Sequence, residues 1–217
     1  MSDVSTKYGP EVQKVTADTP IQDIVYLLKR DGGVFVRNLI SVADVEKAYE
    51  ECRERLENDV EWNGSFFPNE WSRAGSTNFT WTLLLMLHLL SEQTQRASAL
   101  LAISPTYAKT QVMNPVYQQV CDHFLTTRSW FWWGNEKKES VSKPYVHSCT
   151  AMRIGPGGEA QPLHRDDYIS HNYHQEVDSW DDERDRNRET AIGLFVAGSK
   201  VTKENGGTQF IPRSHLW

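Results

Sequence analysis

The segment "QPLHRDDYISHNYH", residues 161–174, holds three histidines and an adjacent pair of aspartates, two residues after a Gly-Pro-Gly-Gly turn. Within it, His164 and Asp166 form an H-x-D pair. In an extended chain, side chains two residues apart project to the same side, so an imidazole and a carboxylate at this spacing can meet one ion without strain. Two members of a two-histidine, one-carboxylate triad would have this form, and such a triad leaves open positions on Fe(II) for a co-substrate and O2. The spacing alone fits a plain hydrogen-bonded histidine equally well, and the same donor types suit zinc in a cupin-like protein. Gln161 could offer its amide to an anionic co-substrate. Asp167 either orients Arg165 and the groups behind the metal or belongs to a solvated acidic pair. The spacing of His171 and His174 suits a loop or a pocket wall more than ligation.

Such a pair needs elements to hold it. Residues 21–33, "IQDIVYLLKRDGG", predict a helix capped by Asp18 or Thr19, with Pro20 in its first turn, an apolar stripe of Ile24, Leu27 and Leu28, and a stop at Gly32. "VFVRNLI" then predicts a strand. "SVADVEKAYEECRERLENDV" predicts a second helix, with Ser41 and Asp44 in capping-box spacing and Val42, Val45, Ala48, Tyr49 and Cys52 on one face. Helical spacing returns in "SPTYAKTQVMNPVYQQVCDHFLTT", with Val116, Val120, Phe124 and Leu125 directed at the core. The "WFWWG" that follows reads as core or cavity wall. From Ser148 the period becomes two, and "SCTAMRIG", "TAIGLFVAG" and "TQFIP" predict strands. They are separated by "GPGG", by the acidic "QEVDSWDDERDRNRE", read as a solvated connection or a lid, and by "ENGG". Helices first and strands afterwards give a single α+β domain over residues 1–217, mainly β with flanking helices of jelly-roll type.

Composition narrows the class of partner. The 217 residues are 39% hydrophobic and include eight tryptophans, enough apolar surface for a substantial core. A net charge of -6, spread along the chain, argues against nucleic acid or an anionic membrane surface. The longest apolar run, "FTWTLLLMLHLL", is interrupted by Thr82 and His88 and falls short of the ~20 residues a spanning helix needs. Cys52, Cys121 and Cys149 form no CxxC and read as reduced, buried thiols. The polar start "MSDVSTKYGPEVQKV" does not read as a secretory leader. We expect a cytoplasmic protein with a small-molecule substrate, a homodimeric assembly, and neither nucleic acid nor membrane as partner.

Taken in order, "DGGVFVRNLIS", "SPTYAK", "QPLHRDDY" and "VTKENGGTQFIPRSH" resemble the phytanoyl-CoA dioxygenase family of Fe(II)/2-oxoglutarate oxygenases. The likeness is greatest to fungal members that tailor alkaloids and meroterpenoids. It implies a double-stranded β-helix, the cupin-like jelly roll. It further implies a mononuclear Fe(2+), consumption of 2-oxoglutarate and O2, and oxidation of a C–H bond in a small multi-ring product of secondary metabolism. Under the resemblance His164 and Asp166 are metal ligands, while Gln161 and Thr202 match positions that contact 2-oxoglutarate. Phe66 and Phe67 would wall an apolar substrate pocket. The family places its second histidine ligand and a 2-oxoglutarate-binding arginine beyond the "IPxSH" segment, and assigns the histidine of that segment, here His215, to a turn. With the sequence closing on "SHLW", the expectation is a jelly roll short of its last strands and two of the three protein ligands. An inactive truncated relative and a zinc-binding cupin-like protein are the alternatives. Similar proteins pass from "FFP" to "SPTYA" by a short stretch, so residues 69–93 are expected to be an anomalous insertion, part of it retained intron sequence.

Overall fold

The computed structural model describes residues 12–59, 94–155, 160–167, 173 and 175–217. The proposed insertion at 69–93, together with Phe66, Phe67, His171 and His174, lies outside the described residues.

Strand β1 (Lys14–Thr16) pairs in parallel with β2 (Phe35–Arg37), and helix α1 (Ile21–Asp31) joins them. The expected cap differs in one respect. Pro20 itself takes the capping position without a side-chain bond, because Asp18 and Thr19 are spent in the preceding turn. There the Thr16 amide donates to Thr19 Oγ1 at 3.2 Å and the Thr16 hydroxyl donates to Asp18. At the other end Gly32, at φ 77°, donates its amide to the Leu28 carbonyl and stops the helix as the sequence predicts. Val25, and not Leu27, joins Ile24 in the core, where they meet Val120 and Phe124.

Helix α2 (Val42–Glu57) is capped by Ser41, whose Oγ accepts from the Asp44 amide at 3.1 Å. It buries Ala48, Cys52 and Leu56, whereas Val42 in the first turn projects past the core and is exposed. Cys52 and Leu56 pack with Ala97 and Leu100 as a second core cluster. Ala97 lies on β3 (Thr94–Ser98), which pairs antiparallel with β6 (Thr150–Ile154), opposite Ala151. Thus "SCTAMRIG" does form a strand. All three cysteines are free, with Cys52 and Cys121 buried.

The single helix predicted over "SPTYAKTQVMNPVYQQVCDHFLTT" is divided. After α3 (Leu100–Ile103), α4 (Pro105–Tyr107) runs into a π-helical turn, Ala108–Val112, and α5 (Pro115–Leu125) starts anew. Asn-Pro causes the restart: Asn114 Oδ1 accepts the amides of Val116 and Tyr117, and Pro115 occupies the first position, where its missing N–H costs nothing. Glu51 bolts α2 to this corner, accepting from the Ser104 hydroxyl (2.6 Å) and from the Thr106 hydroxyl (2.7 Å) and amide (3.0 Å). These bonds hold its carboxyl below the usual range.

The aromatic cluster is not core. Residues 130–133 lie on β4 (Thr127–Trp133), paired with β5 (Glu136–Ser142) in a hairpin. Trp130, Trp132 and Trp133 are 63%, 68% and 72% exposed. A two-stranded ribbon has two faces, and among the described residues no layer covers either. Lys137 sits over the Trp130 ring at 5.0 Å.

The other predicted strands, at 190–198 and 208–212, join no sheet among the described residues. Alternation survives in the first: Ile192, Leu194 and Val196 are half-buried while Gly193, Phe195 and Ala197 are exposed. The side chains keep the two-residue period, but a strand also needs a neighbour to bond. The acidic connection is more than solvated loop. Its Trp180 packs edge-on against Phe124 at 5.1 Å, and Asp182 accepts from Trp180 Nε1, Lys29 Nζ and His123 Nε2, clamping the segment to α1 and α5. The architecture is therefore mixed helix and sheet in three two-stranded ribbons, with no closed barrel among the described residues. No described helix is long and apolar enough to cross a membrane.

Candidate functional site

Residues 160–167 follow β6 and carry the H-x-D pair. His164 Nδ1 stands 2.8 Å from the Pro162 carbonyl. A carbonyl can only accept, so Nδ1 donates to it, which leaves Nε2 as the ring nitrogen that faces Asp166. That Nε2 lies 3.2 Å from Asp166 Oδ1. Two donors at right angles around an ion, each near 2.1 Å from it, stand about 3.0 Å apart, so the pair is close to a chelating bite. The Asp166 side chain is 78% exposed and that of His164 30%, which leaves the ion's other positions open to solvent or small ligands. The residues present fit a metal as two adjacent ligands.

Arg165 and Asp167 form the complementary pair. Arg165 Nε and Nη2 donate to the two oxygens of Asp167 at 3.1 and 2.5 Å, and Nη1 donates to the main-chain oxygen of Trp217 at 2.9 Å. Of the two sequence readings of Asp167, the one in which it orients Arg165 is what the structure contains.

The two residues expected from the resemblance to contact a co-substrate, Gln161 and Thr202, are not assembled in the same way. Gln161 is exposed and makes no hydrogen bond among the described residues. Thr202 lies in a turn, its amide donating to Asn205 Oδ1 at 2.7 Å, its carbonyl accepting from Gly207, and its hydroxyl bonding to Glu204. The structure thus brings His164 and Asp166 together and leaves Gln161 and Thr202 apart from them in hydrogen bonding. Among the described residues no third histidine, cysteine or carboxylate completes a metal-binding group.

His215 occupies the turn Ser214–Leu216, as the sequence reading places it. Its Nε2 donates to the Lys29 carbonyl at 3.2 Å, its ring lies against Gly32, and its Nδ1 is buried with no hydrogen-bond partner among the described residues. A Cβ on Gly32 would stand 2.4 Å from His215 Nδ1, and one on Gly33 would stand 2.8 Å from the Phe210 ring. The "DGG" and "FIPRSH" segments therefore pack on one another, a contact the sequence reading missed; paired glycines that no single turn requires are the signal.

Burial pushes the His215 imidazole below its usual value, partly opposed by the Lys29 carbonyl and Glu189, with Arg188 and Arg165 acting in the same direction as burial. Its folded pKa lies below its unfolded one, so stability is flat above about pH 6.5. As pH falls below that value the unfolded chain takes up the proton first and stability drops, levelling off below the folded pKa. Urea midpoints at pH 5 and pH 7.5 should show this loss in the parent and a smaller one in His215→Gln.

Comparison with known proteins covers the same stretch. The profile of the phytanoyl-CoA dioxygenase (PhyH) family matches residues 28–217. The dioxygenase himG of Aspergillus japonicus is 33% identical over 196 residues, 90% of this chain and 52% of that protein. The dioxygenase swnH1 of Arthroderma benhamiae is 30% identical over 219 residues, 99% and 62%. The dioxygenase peniF of Penicillium patulum is 29% identical over 198 residues, 91% and 56%. The chain thus spans between half and two thirds of the length of these relatives.

Proposed function

Because the chain belongs to the phytanoyl-CoA dioxygenase family, whose fold is cupin-like, we propose that it is an Fe(II)- and 2-oxoglutarate-dependent dioxygenase acting on a C–H bond of a small multi-ring natural product in fungal secondary metabolism. The observation that carries the reading is the convergence of His164 Nε2 and Asp166 Oδ1 at 3.2 Å, within the matched stretch and with Nδ1 engaged by the Pro162 carbonyl. The naming of the three relatives as dioxygenases supports it.

His164 and Asp166 would hold the iron, which when bound would supply oxidising chemistry from O2 with conversion of 2-oxoglutarate to succinate and CO2. The chain's own residues bind and orient. His164 offers Nε2, with its ring oriented by the Pro162 carbonyl, and Asp166 offers negative charge beside it. Gln161, unengaged and three residues away, offers its amide to the co-substrate. Thr202 serves the same end once its hydroxyl leaves Glu204. The same proposal gives the apolar wall of the substrate pocket to Phe66 and Phe67, which lie outside the described residues. The alternating burial of residues 191–197 and the β3–β6 ribbon support reading this single domain as strands of a double-stranded β-helix. A cytoplasmic homodimer belongs to the same reading.

The test is turnover by the chain reconstituted with Fe(II). Oxygen-dependent formation of succinate from 2-oxoglutarate, abolished by a chelator, is expected. Bound Fe(II) without turnover would favour the inactive relative, and tight zinc binding without turnover the cupin-like alternative.

A further inference from the structure

We propose that Arg165 is a positioning residue, a strut that fixes the H-x-D loop against the turn Ser214–Leu216 and so sets the bite between His164 and Asp166. The inference rests on the metal-site reading above and concerns what holds that site in shape.

Arg165 stands between the two candidate ligands in sequence. Its guanidinium bonds to Asp167 and to neither of them. The fork on Asp167 fixes the guanidinium plane, and a planar, rigid group held at two nitrogens aims its third in one direction. That direction is the Trp217 main-chain oxygen, 2.9 Å from Nη1 and 52 positions along the chain. The Arg165 and Asp167 side chains are 29% and 19% exposed, so the pair is not a solvated surface contact.

The far end of the strut is itself anchored. The Leu216 carbonyl accepts from the Val177 amide at 3.0 Å, and the Arg213 amide donates to the Asp31 carbonyl at 2.8 Å. The His215 ring rests on Gly32 and its Nε2 bonds to the Lys29 carbonyl, tying the turn to the end of α1. By contrast, the bond that orients His164 is local, to Pro162 two residues away. Rotation of the loop about its own backbone is therefore resisted by Arg165. Asp167 has a second effect: it cancels a positive charge that would otherwise stand next to a bound cation.

Binding of Co(II), followed by calorimetry and by its visible absorption, separates these roles. Arg165→Lys keeps the charge without the fork, and Arg165→Gln removes both. If Arg165 is a strut, each weakens Co(II) binding about 10- to 100-fold and changes the cobalt spectrum, while melting temperature stays close to that of the parent. Asp167→Asn, which preserves shape, weakens binding as well and serves should either arginine variant fold poorly. Parent-like binding by Arg165→Lys would overturn the proposal, and tighter binding by Arg165→Gln would replace the strut with a purely electrostatic role. The His164→Ala variant checks the underlying reading separately. Co(II) binding that it leaves untouched removes the metal site and the strut together, whereas binding that it abolishes but Arg165→Lys spares removes the strut alone.

Discussion

Replacing His164 with alanine, or Asp166 with asparagine, should lower Fe(II) affinity by more than the roughly 10- to 100-fold that outer-sphere partners are worth. Each variant removes one of only two ligands that the described residues bring together. The two substitutions differ in kind. His164→Ala deletes a ring nitrogen whose orientation the Pro162 carbonyl has already fixed, so the loss is of a preorganised donor. Asp166→Asn keeps the shape and an oxygen but removes the negative charge facing a divalent ion, so its effect should ease less with added salt than a surface pair's would. Neither should move the melting temperature much, since Asp166 is largely exposed and the His164 bond is local. Anaerobic calorimetry with Fe(II), alongside thermal denaturation, reads both quantities. Full metal affinity in His164→Ala would refute the assignment.

Gly32→Val should destabilise the fold by about 2–4 kcal/mol, combining the penalty of a left-handed backbone for a β-branched residue with a clash in a filled space. The φ of 77° is one such term, and a Cβ only 2.4 Å from His215 Nδ1 is the other. For a chain of this length that corresponds to roughly 10 °C in melting temperature. The double variant Gly32→Val/His215→Ala should recover part of the loss by removing the clash, but not the backbone share. Because the displaced ring belongs to the turn that receives Arg165, Gly32→Val should also weaken metal binding at a site it does not touch. A melting temperature within 1–2 °C of the parent would contradict this account of the "DGG" segment.

What the sequence discloses is what is local. Helix α2 is legible because its cap, Ser41 with Asp44, and its 3.6-residue period all lie within one stretch. The approach of His164 to Asp166 is local as well, since the two lie two positions apart, although the chain bends at Asp166 and does not run extended there. The π-helical turn at Ala108–Val112 has no comparable signature, because a shift in hydrogen-bond register leaves residue types unchanged. "WFWWG" misleads because composition gives a side chain's preference for burial without saying whether a layer lies above it, and here the hairpin stands clear. Residues 190–198 show the division within one element: the alternation is present, while pairing depends on a partner elsewhere. The contacts that frame the candidate site, Arg165 with Trp217 and Gly32 with His215, join distant positions, so no local pattern announces them.

The same division explains the state of the co-substrate residues. Gln161 is close to His164 in sequence and stays available, whereas Thr202 comes from a separate turn whose own bonds to Asn205, Gly207 and Glu204 compete for it.

The central claim is that His164 and Asp166 hold an iron on which 2-oxoglutarate depends for binding. Anaerobic titration of the chain with 2-oxoglutarate, with and without Fe(II) and in the His164→Ala variant, tests it most directly. The account predicts binding of 2-oxoglutarate to the parent only when Fe(II) is present, and none to the variant under either condition. Binding that is indifferent to Fe(II), or that persists in His164→Ala, would contradict it.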